Sequence, residues 1–505
     1  MQAFNRSRAG CPRATRGYLQ VPDPMQDILI IWFGGTNKKI IMNIQRIWLC
    51  LTVCIGYSLS NRVYIHPFNL FAYNKSECEK VEKQNHTIEA LFTPVSIEVN
   101  ISPEEETLGS TVQSKLLGIV ERQRVSILPS LVNDAGFRSF NGWRKTHKDD
   151  SILMSFTNLF GSLVSFYLGA STHTSADLQA FLGFAHQSGD QDCVSKVDAL
   201  KVISTLKHID NRLFSKDNSV ESLKMTCLFV SKDVSLSETF IQNLIPSADK
   251  FYVRGVDFTN SAKAVELINE YLNTRSTKKS TYISTPVDDS VNILFTSYIH
   301  FKGTLKNSYL IPEPQDFWIE PGKKIATPMI SLSGMFNYKH DINMSQLIVK
   351  VPLGENDFML LIQPINGNTL ENMESSLSWD TFLKWLENLS SRYINLSLPK
   401  MEIESSYDIQ EILSDMELPY LLGKKADLSK ISNAELTVGK VINKVHFELK
   451  ESGEDANKAP DIPLNKKDQE PLEIKFQKPF LFVVFEGKTK ALLFIGRVKS
   501  PLNIM

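Results

Sequence analysis

The hydrophobic positions of this chain fall into one long block and several short ones. Residues 155–169 are apolar on most faces, which is typical of a buried α-helix, and residues 176–182 predict another helical segment. The last two apolar runs are separated by a short segment containing Gly487, so they predict a C-terminal hairpin. From about residue 130 the pattern therefore predicts a large α+β domain. The short runs that predict its strands are 225–230, 346–351, 358–362, 480–485 and 491–495.

Residues 42–60 have the layout of a signal peptide. Arg46 supplies the positive charge, residues 47–55 form the apolar segment, and small residues precede the expected cleavage point. The apolar segment is too short to span a membrane, which takes about 20 residues. We therefore expect a secreted, extracellular protein without a membrane anchor, whose mature chain begins at Asn61.

The status of residues 1–41 stays open. They are rich in arginine, contain three prolines and show no lasting apolar period. They are either an unusually long n-region or a segment ahead of a true start at Met42. A mitochondrial transit peptide is disfavoured by Asp23 and Asp27. The fold prediction therefore begins after residue 60.

The composition of the chain excludes several functional classes. Hydrophobic residues make up 42% and charged residues 22%, with a net charge of −1. This balance is that of an ordinary globular protein and gives no sign of nucleic-acid binding. The histidines lack zinc-site spacing, and no nucleophile elbow or phosphate loop is present. We therefore expect no catalytic residues, no cofactor and no metal.

Three cysteines follow the leader, namely Cys78, Cys193 and Cys227. An exported protein is expected to form a disulfide from two of them, which leaves one thiol over. Cys227 lies in the apolar run 225–230 and is expected to be buried in an inner strand, which favours a bridge between the other two. The residues alone leave all three pairings open.

Six Asn-x-Ser/Thr sequons follow the signal peptide. Three of them fall within residues 74–102, which predicts a solvated and glycosylated extension over residues 71–130. The expected acceptors are Asn74, Asn85, Asn100, Asn343, Asn388 and Asn395.

Several ordered motifs in residues 131–505 resemble the serpin family. They include residues 479–482 and 494–498 with Pro501, which match the C-terminal signature of that family. The resemblance implies a serpin fold with three β-sheets, about nine helices and an exposed reactive loop near the C-terminus, and we expect a monomer. The other motifs are residues 168–170, 301–303, 398–404 and 426–429, and the group Met329, Gly334, Phe336 and Tyr338.

The hinge of the reactive loop departs from the pattern of inhibitory serpins. Inhibitors insert the cleaved loop into the main sheet, and their hinge carries a glycine, a threonine and then small residues. Here the hinge contains Gly453, Glu454, Asn457, Lys458 and Pro460. Burying an unpaired carboxylate costs several kcal/mol, and proline cannot donate a hydrogen bond to a sheet. We therefore predict a non-inhibitory serpin, with a protease inhibitor and a carrier of a small hydrophobic hormone as the alternatives.

Residues 61–70, directly after the signal peptide, resemble the angiotensin family of peptide hormones. They differ from the commonest decapeptide of that family at Asn61 and Asn69. The resemblance implies a plasma precursor of a vasoactive peptide that regulates blood pressure and fluid and salt balance. The octapeptide hormone would consist of Asn61, Arg62, Val63, Tyr64, Ile65, His66, Pro67 and Phe68.

The same resemblance implies three partners. Renin, an aspartic protease, would cut between Leu70 and Phe71, and angiotensin-converting enzyme would then cut between Phe68 and Asn69. The resulting octapeptide would bind an angiotensin receptor, which is a G-protein-coupled receptor. Because aspartic proteases bind extended substrates with apolar pockets on both sides of the cut, the two residues flanking the first bond suit that enzyme.

The peptide segment is therefore expected to be flexible, extended and exposed. Pro67 fixes its own φ and disfavours a helical conformation at the residue before it. In an extended chain Tyr64, His66 and Phe68 share one face. A histidine in this position is expected to serve peptide recognition rather than metal binding.

Two features beside the predicted cut could control it. Asn74 lies just past the bond, so a glycan there would slow cleavage by its bulk. The resemblance supports a Cys78–Cys193 disulfide, and its long loop corresponds to a stabilisation of roughly 4–5 kcal/mol. Two roles stay open for this bridge, a plain structural staple and a redox switch that changes the access of the protease.

Overall fold

The computed structural model describes the chain from residue 66 onward, with gaps. Residues 1–65, which hold the leader, the signal peptide and the first five residues of the decapeptide, lie outside the described residues. The predicted glycan acceptor Asn85 and residues 454–469, which contain most of the predicted hinge, lie outside them as well. The described ranges are 66–84, 90–102, 117–185, 192–213, 219–276, 279–288, 290–354, 356–453 and 470–501.

Within these ranges two short helices precede nine helices of the main body. The first two are α1 (Pro67–Phe71) and α2 (Lys75–Gln84). The nine helices of the main body agree with the expected count of about nine. These are α3 (Ile119–Thr146), α4 (Phe156–Gly169), α5 (Thr172–Phe181), α6 (Ala199–Asp210), α7 (Glu238–Leu244), α8 (Ser261–Arg275), α9 (Leu370–Ser375), α10 (Trp379–Leu386) and α11 (Ile409–Asp415).

Many of the strands follow one another in runs without a helix between them, as is typical of an α+β protein. They are β1 (Leu91–Phe92), β2 (Ile152–Ser155), β3 (Val220–Ser231), β4 (Leu236–Ser237), β5 (Lys250–Val256), β6 (Ile293–Leu305), β7 (Ser308–Leu310), β8 (Gln315–Glu320), β9 (Lys323–Thr327), β10 (Met329–Asp341), β11 (Gln346–Leu353), β12 (Asp357–Pro364), β13 (Ser390–Pro399), β14 (Glu402–Asp408), β15 (Val438–Glu451), β16 (Leu472–Lys475), β17 (Phe480–Glu486) and β18 (Leu492–Val498).

Two large sheets organise the described strands. The five-stranded sheet has the order β14-β15-β6-β3-β5. The nine-stranded sheet has the order β16-β13-β10-β11-β12-β17-β18-β2, and β7 pairs with β10 beside it. The strands β1 and β4 form one two-stranded pair, and β8 and β9 form another.

The elements predicted from apolar runs are confirmed. The block 155–169 forms α4, which is buried along nearly its whole length and begins where the side chain of Ser155 accepts a hydrogen bond from the Asn158 N–H. Such a cap satisfies one of the backbone donors that a helix N-terminus leaves without a partner. The C-terminal hairpin is also present, because β17 and β18 pair antiparallel.

The five-stranded sheet contains a parallel seam between β6 and β15. The two strands pair directly from Phe295 and Val441 to Leu305 and Glu451. Because β15 leads into the predicted hinge, an inserted loop would have to break pairing along this sheet. In the structure β6 and β15 are therefore directly hydrogen-bonded, without a gap between them, up to the position where the hinge begins.

Residues 90–102 cover the outer edge of the same sheet. The N–H of Ile97 donates to the carbonyl of Gly255 at 2.8 Å, and the N–H of Gly255 donates to Val95 at 2.9 Å. A Cβ at Gly255 would lie 3.2 Å from the carbonyl oxygen of Pro94, so glycine permits this close approach. Arg254 adds a hydrogen bond to the carbonyl of Ser96. This part of the predicted solvated extension is therefore docked on the body.

Candidate functional site: the cleavage segment

The segment around the predicted cut is helical. Pro67 occupies the first turn of α1, where its missing N–H carries no penalty. His66 caps the helix, since its Nδ1 accepts a hydrogen bond from the Phe68 N–H at 3.3 Å. The Ala72 N–H donates to the carbonyl of Phe68 at 2.8 Å and closes the turn. The expectation of an extended chain is therefore wrong for residues 67–71, whereas His66 is extended, with φ −59° and ψ 134°.

The same segment is buried, which overturns the expectation of an exposed cut. The exposed fractions of Phe68, Leu70 and Phe71 are 4%, 6% and 0%. Helix α1 packs on α3 and α6. The ring of Phe71 meets the ring of Phe184 edge to face, with centroids 5.3 Å apart. The apolar residues that flank the bond thus act as core side chains in the intact protein.

Hydrogen bonds hold the two carbonyl groups around the bond. Arg124 on α3 donates from Nε to the carbonyl oxygen of Leu70 at 2.7 Å. The N–H of Asp198 donates to the carbonyl of Phe71 at 2.9 Å. Ala72 then forms an isolated antiparallel bridge with Val197. A protease that needs an extended strand must break all of these contacts first.

Lys201 on α6 fastens the chain just beyond the cut. Its Nζ donates to the carbonyl of Ala72 at 2.9 Å and to Oε2 of Glu77 at 2.7 Å. The same nitrogen lies 3.6 Å from Asp198 and 5.7 Å from the centre of the Tyr73 ring. One cation therefore binds a backbone oxygen and a carboxylate of the segment that follows the cut, faces one of its aromatic rings, and lies near Asp198 of its own helix.

Burial and the hydrogen bonds and charge of Lys201 shift the pKa values of three groups near it. Burial acts to raise the pKa of Glu77, but hydrogen bonds from Lys201 and the Asn74 N–H hold that pKa below its usual value. Burial raises the pKa of Asp198, against the opposing effect of Lys201. Burial also raises the pKa of Tyr73, so its hydroxyl stays neutral near pH 7. At that pH the ionised Glu77 therefore binds Lys201.

A disulfide joins the docked segment to the body. It connects Cys78 on α2 to Cys193 and closes a loop with a sequence separation of 115 residues. This is the pairing that the resemblance supported. Cys227 is buried in β3, as its apolar surroundings in the sequence predicted.

The sequons differ in their surroundings. Asn395 is half-buried on β13, where its Nδ2 donates to Glu473 at 2.6 Å and its Oδ1 accepts from Ser333. This engagement disfavours Asn395 as a glycan acceptor. Asn74 instead caps α2, because its Oδ1 accepts from the Glu77 N–H at 2.9 Å and leaves Nδ2 available. The exposed acceptors are Asn74, Asn100, Asn343 and Asn388.

The start of the reactive-loop hinge is tied to β7. The N–H of Ser452 donates to Oγ of Ser308 at 3.1 Å, and the N–H of Ser308 donates back to Oγ of Ser452 at 3.2 Å. Gly453 follows with φ +71°, a left-handed conformation that suits glycine. The hinge residues Glu454, Asn457, Lys458 and Pro460 lie outside the described residues.

Sequence reasoning missed the residues that hold the cleavage segment. Arg124, Asp198 and Lys201 lie near helix ends far along the chain, and a lone charged residue at each position carries no motif.

The described ranges contain no group of three or more His, Cys, Asp or Glu residues that could hold a metal ion. Among the described helices, none is sufficiently long and apolar to cross a membrane.

Comparison with known proteins places these features in a family. The serpin (serine protease inhibitor) family model matches residues 130–501. Angiotensinogen from Bos taurus is 35% identical over 467 residues, covering 90% of this chain and 97% of that protein. Angiotensinogen from Homo sapiens is 33% identical, with 90% and 97% covered. The corticosteroid-binding globulin of Homo sapiens is 26% identical over 70% of this chain and 85% of its own length.

Solved structures share the fold at lower identity. Uncleaved ovalbumin matches with a TM-score of 0.64 and 21% identity, over 74% of this chain and all of its own. Human thyroxine-binding globulin in complex with its hormone matches with a TM-score of 0.62 and 20% identity, over 75% of this chain and 99% of its own. These two matches confirm the expected serpin fold.

Proposed function

Since the chain belongs to the serpin family and, within it, to the angiotensinogens, the precursors of angiotensin peptides, we propose that renin releases residues 61–70 from it in plasma. Angiotensin-converting enzyme then removes Asn69 and Leu70, and the octapeptide that ends at Phe68 acts on an angiotensin receptor. The serpin body is a secreted, monomeric carrier with no catalytic role of its own.

The observation that carries this proposal is the way the Leu70–Phe71 bond is held. It lies in a five-residue helix fastened to the body by side-chain packing and hydrogen bonds. A helix this short is unstable alone in water, because the conformational entropy lost in forming the first turn outweighs the hydrogen bond gained. The segment therefore becomes extended as soon as it leaves the body, and the extended form is the one that an aspartic protease binds.

Detachment has a cost that protects the precursor. Exposing Phe68, Leu70 and Phe71 loses roughly 1.5–3 kcal/mol for each side chain. The protease must offset this cost with its own pockets, which receive the same apolar side chains. Cleavage is thus selective for an enzyme that binds both sides of the bond, and general proteolysis of the folded precursor is suppressed.

The docked geometry also sets the order of the two cuts. The Phe68–Asn69 bond lies inside α1, and the Phe68 carbonyl accepts the Ala72 N–H. We therefore expect the second cut only after the Leu70–Phe71 bond is broken and the decapeptide has left the body.

The test is digestion of the purified full-length protein with its cognate renin, followed by mass spectrometry of the released peptide. We expect one peptide, residues 61–70. The matched control is the same chain after reduction and heat unfolding, in which the sequence is unchanged but the docking is lost. Cleavage at another bond, or no cleavage at Leu70–Phe71 even in the unfolded chain, would refute the proposal.

A further inference from the structure

We infer that the cleaved protein keeps a binding site for the C-terminal end of the decapeptide it has released. The ligand class is a peptide that ends in a free leucine carboxylate preceded by Phe-Asn. The inference rests on the proposed cleavage of the Leu70–Phe71 bond and adds a carrier function for the product.

Cleavage changes the charge at the centre of the docked segment. One water adds across the bond, so the carbonyl carbon of Leu70 gains a hydroxyl oxygen while the nitrogen of Phe71 becomes an amine. Near pH 7 the new acid transfers its proton to that amine, which leaves a carboxylate on Leu70 and an ammonium on Phe71. No other reactant is consumed.

Arg124 is already placed to bind the new carboxylate. Its Nε donates to the carbonyl oxygen of Leu70 at 2.7 Å in the intact protein. After cleavage that oxygen belongs to a carboxylate, so the guanidinium gains a charge–charge attraction in addition to the hydrogen bond that it already made. Because the hydrogen bond is part-buried, solvent screens this gain less than at an exposed site.

The apolar part of the site also survives. Phe71 stays on the body, where the Asp198 N–H holds its carbonyl and the Phe184 ring packs against it. The positions that buried Phe68 and Leu70 against α3 and α6 are left for the peptide to refill. The decapeptide therefore meets a surface shaped by its own former attachment.

The site distinguishes the decapeptide from the octapeptide. Removing Asn69 and Leu70 deletes one of the two buried apolar side chains and moves the terminal carboxylate two residues away from Arg124. We expect the octapeptide to bind at least tenfold more weakly. The cleaved body would thus hold the decapeptide in a reversible complex until converting enzyme shortens it.

The test starts from full-length protein cut by renin, with the cut confirmed by mass spectrometry and the free peptide removed. Three synthetic peptides carrying a fluorophore at Asn61 are titrated and followed by anisotropy. They are residues 61–70 with a free carboxylate, the same peptide with a C-terminal amide, and residues 61–68. We expect saturable binding of the first and at least tenfold weaker binding of the other two.

Variants of α3 provide a second readout. Arg124→Gln should weaken the free-acid decapeptide more than its amide and so remove most of the difference between them, because the amide keeps the carbonyl acceptor but has no charge to lose. Arg122→Gln is the matched control, since Arg122 lies on the same helix and is exposed. Should Arg124→Gln fold poorly, the acid and amide peptides on the unaltered protein decide the matter.

The possible failures are distinguishable. If renin does not cut at Leu70–Phe71, the proposed function and this inference fall together. If the cut occurs but the acid peptide does not bind, or binds no better than its amide, only this inference is overturned.

Discussion

The Nζ of Lys201 lies 2.7 Å from Oε2 of Glu77, and this ion pair bridges the body and the chain just after the cleavage bond. The lysine side chain is only 14% exposed, whereas surface ion pairs of this kind are usually well solvated. The same ammonium also binds the Ala72 carbonyl. We therefore regard Lys201 as a lock on the docked segment.

Replacing Lys201 with methionine should speed the release of the decapeptide by renin. The variant keeps the aliphatic stem but loses hydrogen bonds from a charged donor, which are worth about 1.5–3 kcal/mol. If cleavage requires detachment, the initial rate should rise roughly tenfold or more. Ser204→Ala, an exposed change on the same helix, is the control. An unchanged rate for the lysine variant would mean that this residue does not restrain the segment.

Reducing the Cys78–Cys193 disulfide should also speed release. The bridge holds α2 to the body, and chain entropy assigns a loop of this length roughly 4–5 kcal/mol. Oxidised and reduced protein can be compared with renin under otherwise equal conditions, and the remaining thiol, Cys227, is buried in the structure. Faster release from the reduced form supports a redox switch. Equal rates would support a plain structural staple.

Loss of the glycan expected at Asn74 should accelerate cleavage as well. The structure dictates the choice of variant, because Asn74 caps α2 through its Oδ1. Ser76→Ala removes the sequon and keeps the cap, whereas Asn74→Gln removes both. Ser76→Thr keeps the sequon and is the control. The glycan hypothesis fails if Ser76→Ala and Ser76→Thr release the peptide at the same rate.

The fold was largely predictable from the sequence. Buried helices and strands carry apolar residues in recognisable runs. The sequence therefore predicted α4, the strands β11 and β12, and the C-terminal hairpin. Local caps agree with the tertiary structure at these places, as at Ser155. Agreement between local and global signals is what makes such elements predictable.

The cleavage segment was not predictable in the same way. Apolar residues at Phe68, Leu70 and Phe71 suit the pockets of a protease and the core of a serpin equally well. Pro67 disfavours helix at the residue before it but is well accommodated in the first turn. The docked helical state is stabilised by hydrogen bonds from Arg124 to Leu70 and from Lys201 to Ala72. Both side chains are distant in sequence, so a local sequence pattern could not predict these contacts.

Cutting the reactive loop between residues 461 and 470 should leave the thermal midpoint nearly unchanged. In the structure β6 and β15 pair directly, and Ser452 is held by Ser308 where the hinge begins. Insertion would have to open that seam and bury Glu454, at a cost of several kcal/mol. Differential scanning calorimetry of cut and intact protein tests this. A rise of tens of degrees, or an SDS-stable complex with a serine protease, would identify an inhibitory serpin instead.

The seam between β6 and β15 also carries a pair of histidines. His300 and His446 lie opposite each other in register, and their rings stack with centroids 4.5 Å apart at an interplanar angle of 12°. Burial and the neighbouring His446 lower the pKa of His300 from 6.5 to about 4. The charged groups near the two rings are Glu402, Glu404, Glu448, Lys302 and Glu221.

This arrangement predicts that acid destabilises the protein at the five-stranded sheet. A histidine whose pKa is lower in the folded state binds fewer protons there than in the unfolded chain between about pH 4 and 6.5. Stability is therefore greatest above that window and falls as the pH drops through it. After allowance for partial solvent exposure, we expect a loss of about 1–2 kcal/mol. His300→Phe should reduce the difference in urea midpoint between pH 7 and pH 5, whereas the exposed His340→Gln should not. An identical pH dependence in all three proteins would show that the stacked pair does not sense acid.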